Sequence, residues 1–392
     1  MTFYDFDQVP DRRSSDSVKW HAYAEDVLPL WVADMDFVSP EPMIRALHQR
    51  IEHGIFGYPT GLMNSPKEIS DFRQTLIDHL YNLYKWQIEP EDIILMPGVV
   101  TGVNLACHTL AEPGAAVIIQ TPVYPPILHA AETTGLIHQE MELTLNSDGS
   151  YSVDRDAFEN SLTPETRLFI LCNPHNPVGR VFRPDELTHM AQACLQQGVT
   201  IVSDEIHCDL IYNGYPHTPV AALDAEIARQ TITLIAPSKT YNIAGLQCSF
   251  AIIQNRDLRH RYLKARKGLV PWVNLMGVVA ARAAYEEGQE WLDQLLAYLE
   301  ANRAFLYEYV NTELPGIKMW KPEGTYLAWL DCRNAGIPGN PYQFFLDKGR
   351  VAFNDGVTFG QGGEGFIRLN FGCPRSTLAE ALERMKRALE GL

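Results

Sequence analysis

The chain has 392 residues, a formal net charge of −16 and 46% hydrophobic residues, which is ample apolar material for a core in a length that suits two closely associated domains. Such acidity argues against nucleic acid and anionic membranes as partners, because both are met by basic surface. The seven cysteines show no Cys-x-x-Cys or Cys/His spacing, so no metal is expected and they read as buried thiols of a reducing compartment.

The start, MTFYDFDQVPDRR, lacks a basic end leading into an apolar stretch and is not a signal peptide. No apolar run is long enough to span a bilayer, so a cytoplasmic protein without a membrane partner is expected. Residues 1 to about 30 show little periodicity and read as an irregular arm. LPLWVADMDF follows, in which Trp31 and Asp34 belong either to an extended arm packing its tryptophan or to the entrance of a site. A helix is predicted from Pro40 to about His53, with proline in its first turn and Gly54 at its end. FGYPTG is a turn, and Tyr58 within it reads by itself as an ordinary turn aromatic.

Next come a helix through Leu83, a strand over Ile93–Met96, the loop PGVVTG, and a helix with Val103, Ala106, Cys107 and Leu110 on one face. A glycine turn opening a helix presents free backbone N–H groups at the positive end of the helix dipole, which makes Gly98, Val99 and Val100 candidates for holding an anion. After the strand AAVIIQ, the prolines of TPVYPP hold Tyr124 in an extended turn.

Three further apolar runs each deliver polar residues at their carboxyl ends. TRLFILCNPHNPVG ends in Asn173 and Asn176, GVTIVSDEIH ends in Asp204 and Glu205, and TITLIA leads to Lys239 in APSKTYNIAGL. Between the first two, a helix starts near Pro184, buries Leu187, Met190, Ala191 and Cys194, and stops at Gly198. Alternating strands and helices from 90 to 255 predict an α/β fold with a mostly parallel sheet covered on both faces. Ligands bind beyond the carboxyl ends of such strands. A partly desolvated lysine there is the usual nucleophile for a Schiff base with an aldehyde. If the strands are parallel neighbours, an amine, a carboxylate and an amide converge. That set suits pyridoxal phosphate: an amine for the aldehyde, an anion for the ring nitrogen and a donor for the ring's phenolic oxygen.

A long amphipathic helix from Gln289 to about Leu314 leads to a segment of short strands (IKMW, TYLAWLD, FIRLNFG), a helix PYQFFLDKG and a final helix with Leu378, Leu382, Met385 and Leu389 in one stripe. This pattern is α+β. Arg368, within FIRLNFG, either pairs with a surface acid or clamps a substrate carboxylate with its fork.

The motifs CNPHNPVG, SDEIH and SKTYNIAGL, in that order, resemble the fold type I pyridoxal-phosphate enzymes of the aminotransferase superfamily. With LPLWVADMDF, FGYPTG, TPVYPP, GTYLAWLD and FIRLNFGCPRS, the chain from about Asp5 to its end resembles the MalY/PatB family of cystathionine β-lyases, or C–S lyases. The resemblance implies a large domain with a mostly parallel seven-stranded sheet between helices plus a smaller α+β domain. Expected boundaries are an arm with part of the small domain over 1–48, a cofactor-binding domain over 49–288 and a C-terminal small domain over 289–392.

It also implies roles: Lys239 holds the cofactor and acts as base, and Asp204 keeps the ring nitrogen protonated. Asn176 and His207 bond the ring oxygen, and Tyr124 stacks on the ring. The amides of Val99 and Val100 hold the phosphate with Ser238. Arg368, with Asn176, binds the substrate carboxylate, and Tyr58 reaches the phosphate of the other subunit in a homodimer with shared sites. Gln247 stands where many aminotransferases carry a phosphate-binding arginine, a departure that weakens electrostatic capture of phosphate and moves the chain toward the lyase branch, and Val178 replaces a frequent threonine. The expected reaction releases thiol, pyruvate and ammonia from cystathionine-like substrates. An aminotransferase, or a lyase with a second regulatory binding role, is the alternative.

Overall fold

The computed structural model describes residues 3–57 and 68–392. Its centre is a seven-stranded sheet. In chain order the strands are β1 (Ile93–Met96), β2 (Ala116–Thr121), β3 (Ile137–Glu142), β4 (Thr166–Cys172), β5 (Thr200–Asp204), β6 (Thr231–Ile235) and β7 (Ser249–Ile252). Their spatial order is β1-β7-β6-β5-β4-β2-β3. All neighbours are parallel except β7, which is antiparallel to both β1 and β6.

The side-chain period of two splits each central strand between two cores. Leu168 and Ile170 of β4 face the cluster that holds Val103, Ala106 and Leu110 of the helix α3 (Val99–Leu110), introduced here with α1 (Glu41–His53) and α2 (Glu68–Tyr84) before it. Phe169 and Leu171 face Leu187, Met190 and Cys194 of α4 (Pro184–Gln197). Gly102 lets α3 lie close on the sheet, since a Cβ there would sit 2.7 Å from Leu234 Cδ2.

Beyond this sheet, α5 (Arg256–Arg266) and α6 (Leu275–Glu287) precede the long α7 (Gln289–Glu313), and α8 (Arg375–Glu390) closes the chain. Neither α5 nor α6 was expected. Both have asparagine caps, Asn255 and Asn274, whose side chains accept first-turn N–H groups. The buried face of α6 is Gly277, Ala280, Ala281, Ala283 and Ala284, too small to give an amphipathic signal. That smallness permits close packing, because a Cβ on Gly277 would meet the Leu246 carbonyl oxygen at 2.2 Å.

The C-terminal part carries a four-stranded sheet in the order β8-β9-β11-β10, formed by β8 (Lys318–Met319), β9 (Leu327–Asp331), β10 (Asn354–Asp355) and β11 (Phe366–Asn370). Leu292, Leu295, Leu299 and Leu306 of α7 and Leu378, Leu382 and Met385 of α8 bury this sheet's Leu327, Ile367 and Leu369. The arm is more ordered than its sequence suggests: a short helix spans Val18–His21, and Leu28–Pro29 pairs in parallel with Val351–Ala352. Among the described residues no helix is long and apolar enough to cross a membrane.

Candidate active site

Because β7 reverses direction twice over, β1, β2, β4, β5 and β6 all finish at the same edge of the sheet. A cavity of about 520 Å³ opens there. It is lined by Gly98, Val99 and Val100, at the start of α3, and by Ser238 and Gln247. The same lining carries Tyr124, Asn176, Asp204, His207 and Lys239. Each cofactor residue expected from the sequence and lying among the described residues therefore meets the others here. Tyr58 lies outside the described residues.

Lys239 leaves the short helical turn Pro237–Thr240 that follows β6, and its Nζ donates to the Ala33 carbonyl at 2.7 Å. Burial, reinforced by the Arg368 charge, lowers its ammonium from 10.5 to about 8. Asp204 ends β5, 5% exposed, and accepts the Ile206 N–H at 3.1 Å. Burial outweighs that bond and the nearby Lys239 charge and pushes its carboxyl from 3.8 to about 7. His207 is buried, its Nδ1 has no hydrogen-bond partner among the described residues, and burial holds its pKa well below 6.5. Tyr124 is fixed by its own N–H donating to the Asn176 carbonyl at 3.0 Å.

Arg368 stands one layer back, on β11. Its Nη1 donates to Asn176 Oδ1 at 3.0 Å, and its Nη2 to the Trp31 carbonyl at 2.9 Å and Asn354 Oδ1 at 2.6 Å. The guanidinium carbon lies 5.1 Å from the Phe359 ring centroid. Its Nε is buried and unpartnered among the described residues. Burial lowers its pKa to about 10, so it stays charged at neutral pH.

Sequence reasoning missed several supports of this site. His175 sets its Nδ1 3.1 Å from the Cys172 carbonyl and its Nε2 2.8 Å from that of Pro122, tying the Asn176 loop to the Tyr124 loop. Asn242, at φ 57°, receives the Met35 N–H at 2.9 Å and donates to the Met35 and Phe37 carbonyls, both at 2.8 Å. Asparagine tolerates that left-handed conformation better than most residues, which was the available signal in SKTYN.

The donor set fits pyridoxal phosphate. The first-turn N–H groups of Val99 and Val100 have no intrahelical acceptor and suit a phosphate. The orphaned His207 nitrogen and the Asn176 amide suit a phenolic oxygen. Asp204, buried and in no ion pair among the described residues, suits a protonated ring nitrogen. Lys239 suits an aldehyde.

Residues 25–385 match the family described as aminotransferase class I and II. The chain is 42% identical to cystathionine beta-lyase PatB of Bacillus subtilis (strain 168), over 98% of this chain and 99% of that protein. Among solved structures, it is similar to a pyridoxal-phosphate-bound putative aminotransferase from Clostridium difficile 630, with 37% identity and a TM-score of 0.94 over 99% of this chain and 100% of that one. A pyridoxal-phosphate-bound C–S lyase from Staphylococcus hominis is 31% identical, with a TM-score of 0.92 over 99% and 98% of the two chains. The chain belongs to the aminotransferase class I and II family, in the branch of cystathionine β-lyases that includes PatB.

Proposed function

We propose that this protein is a pyridoxal-phosphate-dependent carbon–sulfur β-lyase that converts L-cystathionine or other S-substituted L-cysteines to thiol, pyruvate and ammonia. The observation that carries the reading is the meeting, in one cavity, of Lys239, a buried Asp204 with no ion-pair partner among the described residues, Asn176, His207 and the first turn of α3.

When bound, pyridoxal phosphate supplies an electron sink for the pair left at the substrate α-carbon. The amides of Val99 and Val100, with Ser238, hold the phosphate. Asp204 holds a proton at the ring nitrogen. Asn176 and His207 hold the ring oxygen, and Tyr124 covers the ring face. Burial and the Arg368 charge lower the pKa of the free Lys239 amine, which raises the share of its neutral form, and that form can take the α-proton as general base. The ammonium so formed can return that proton to the departing sulfur. Arg368 offers its fork to the substrate carboxylate beside Asn176, exchanging protein partners to do so.

The name and full-length similarity of PatB support elimination over amino transfer. The aminotransferase reading is favoured by the name of the C. difficile neighbour. Incubation with a panel of S-substituted cysteines separates the two: the lyase releases thiol and pyruvate in equal amounts with no 2-oxo acid present. Turnover that requires a 2-oxo acid and releases negligible thiol sinks the lyase reading.

The reading includes a homodimer with shared sites. Val100 and Leu269, which line the cavity, are 39% and 64% exposed, and Trp272, which shares a neighbouring pocket with Leu269, is 56% exposed. A second copy would cover these apolar groups. The seven cysteines, all free and buried, suit a reducing cytoplasm. The division at 288/289 is supported by the two sheets, which fall on either side of it, whereas α1 runs unbroken through 48/49.

A further inference from the structure

One cluster of charges takes no part in these roles. Arg12 Nη2 lies 2.8 Å from Asp34 Oδ2 and Nη1 lies 2.7 Å from Asp36 Oδ1, while Lys19 Nζ lies 2.7 Å from Asp36 Oδ2. Lys19 is 1% exposed and Asp36 2%. Trp20 Nε1 donates to Asp36 Oδ1 at 3.0 Å, and Arg12 reaches the Met35 carbonyl at 3.1 Å. An ion pair as deep as Lys19–Asp36 is a poor stabiliser, since apolar residues of similar volume commonly do as well or better, and the partly exposed Arg12–Asp34 pair adds little. Their position suggests what else they do.

The two carboxylates lie within the segment Trp31–Phe37, whose carbonyls meet both cations of the site. Ala33 accepts from Lys239 Nζ at 2.7 Å, and Trp31 from Arg368 Nη2 at 2.9 Å. Tyr326 donates to the same Ala33 oxygen at 2.8 Å, which fixes that acceptor. Asn370 Nδ2 donates to the Val32 and Asp34 carbonyls at 2.5 and 2.6 Å. The body thus contributes neutral groups, and apart from the two site cations the charged fastenings among the described residues come from the arm.

We propose that the Arg12–Asp34–Asp36–Lys19 cluster is a positioning device for the reaction: it fixes the segment Trp31–Phe37, whose carbonyls at 33 and 31 aim the Lys239 amine and the Arg368 fork. A neutral amine has two N–H bonds and one lone pair. Donating one N–H to an immobile carbonyl restricts where the lone pair points, and that lone pair must face the substrate α-proton. Arg12 and Lys19 are positioning residues, since neither lines the cavity. The inference rests on the roles given above to Lys239 and Arg368.

The test uses full-length Arg12→Gln and Lys19→Met proteins, each alone and in an Arg368→Lys background. Loss of aim costs roughly ten- to a hundredfold in kcat/KM. The cost of Arg12→Gln shrinks in the Arg368→Lys background, because the two act through one contact. A readout independent of turnover is the rate at which apoprotein takes up pyridoxal phosphate as pH is varied. Lys239 is faced by Arg368, Asp34 and Asp204, and Arg12→Gln would unmask Asp34, so the midpoint is read in the charge-conserving Arg12→Lys. There it follows the Lys239 amine and falls by about half a pH unit, because a carbonyl acceptor favours the ammonium form. An unmoved midpoint with full additivity marks mere structural support and overturns the proposal, whatever kcat/KM does. If Arg12→Gln does not fold, Arg12→Lys carries the whole test, since an ammonium reproduces only part of the fork and the same losses appear at smaller size. Should the wild-type protein release no thiol, the lyase reading falls while the uptake midpoint still decides the positioning role.

Discussion

Replacing Asp204 by Asn should stabilise the protein without cofactor and cripple it with cofactor. In the native chain burial lifts this carboxyl from 3.8 to about 7. At about 1.4 kcal/mol per pH unit, holding it ionised costs the fold on the order of 4 kcal/mol above pH 7. The sign follows from proton binding: between pH 4 and 7 the native state holds this proton more tightly than the unfolded chain, so stability falls as pH rises through that window. Asparagine keeps an oxygen for the Ile206 N–H and carries no charge. Urea unfolding of the two apoproteins across pH 4 to 8.5 should therefore show no advantage for the variant at the acid end. Its advantage should grow through pH 5 and 6 and level off near 7, at no more than about 4 kcal/mol. With cofactor the order reverses, because the amide cannot pair with a protonated ring nitrogen, and turnover should fall by roughly a hundredfold or more. An Asp204→Asn apoprotein that is less stable than wild type at pH 8, or a stability difference independent of pH, would refute the claim that this carboxyl is uncompensated in the fold.

The remaining tests address single groups. Borohydride reduction of the holoprotein followed by peptide mapping should place a pyridoxyl group on Lys239; a label on another lysine removes it from its role. Arg368→Lys should raise KM for amino-acid substrates roughly tenfold or more, because a point ammonium cannot reproduce the fork, and an unchanged KM would put the carboxylate elsewhere. Mixing Tyr58→Phe chains with Lys239→Ala chains should partly restore activity, since one site of each heterodimer then carries neither lesion. With re-association confirmed, no recovery from two inactive parents counts against a shared site.

The cofactor end of the site was legible because its residues sit where strands stop. β4, β5 and β6 are short runs with every described position but Arg167 buried, and the polar residues at or just past each end are set at the same edge by parallel pairing. Helices such as α4 were legible from punctuation, with proline in the first turn and Gly198 at φ 69° as the left-handed stop. What escaped was non-local or small. The pairing of Leu28–Pro29 with Val351–Ala352 joins opposite ends of the chain and leaves no periodic trace. The alanine face of α6 buries surface without large side chains. His175 and Tyr326 act through backbone carbonyls, and a partner that is a carbonyl has no residue signature at all.

The site also divides its labour in a way that bears on how substrate is admitted. Groups assigned to the cofactor come from the edge of the seven-stranded sheet, a rigid frame in which neighbouring strand ends fix one another, as Asn173 N–H does with the Asp204 carbonyl at 2.9 Å. Arg368, the proposed substrate clamp, comes from the other sheet, on β11, and is held by Asn176 of the first sheet's loop and by Trp31 of the segment that follows the arm. Three separate parts of the chain thus meet at one guanidinium. A substrate carboxylate that engages both Nη atoms must displace at least the Trp31 carbonyl or Asn354, since both already share Nη2. On the proposed roles, binding of substrate is therefore linked to the segment Trp31–Phe37 through Arg368, and capture of the cofactor is linked to the same segment through the Lys239 bond to the Ala33 carbonyl, so changes in residues 12 to 36 should move both steps.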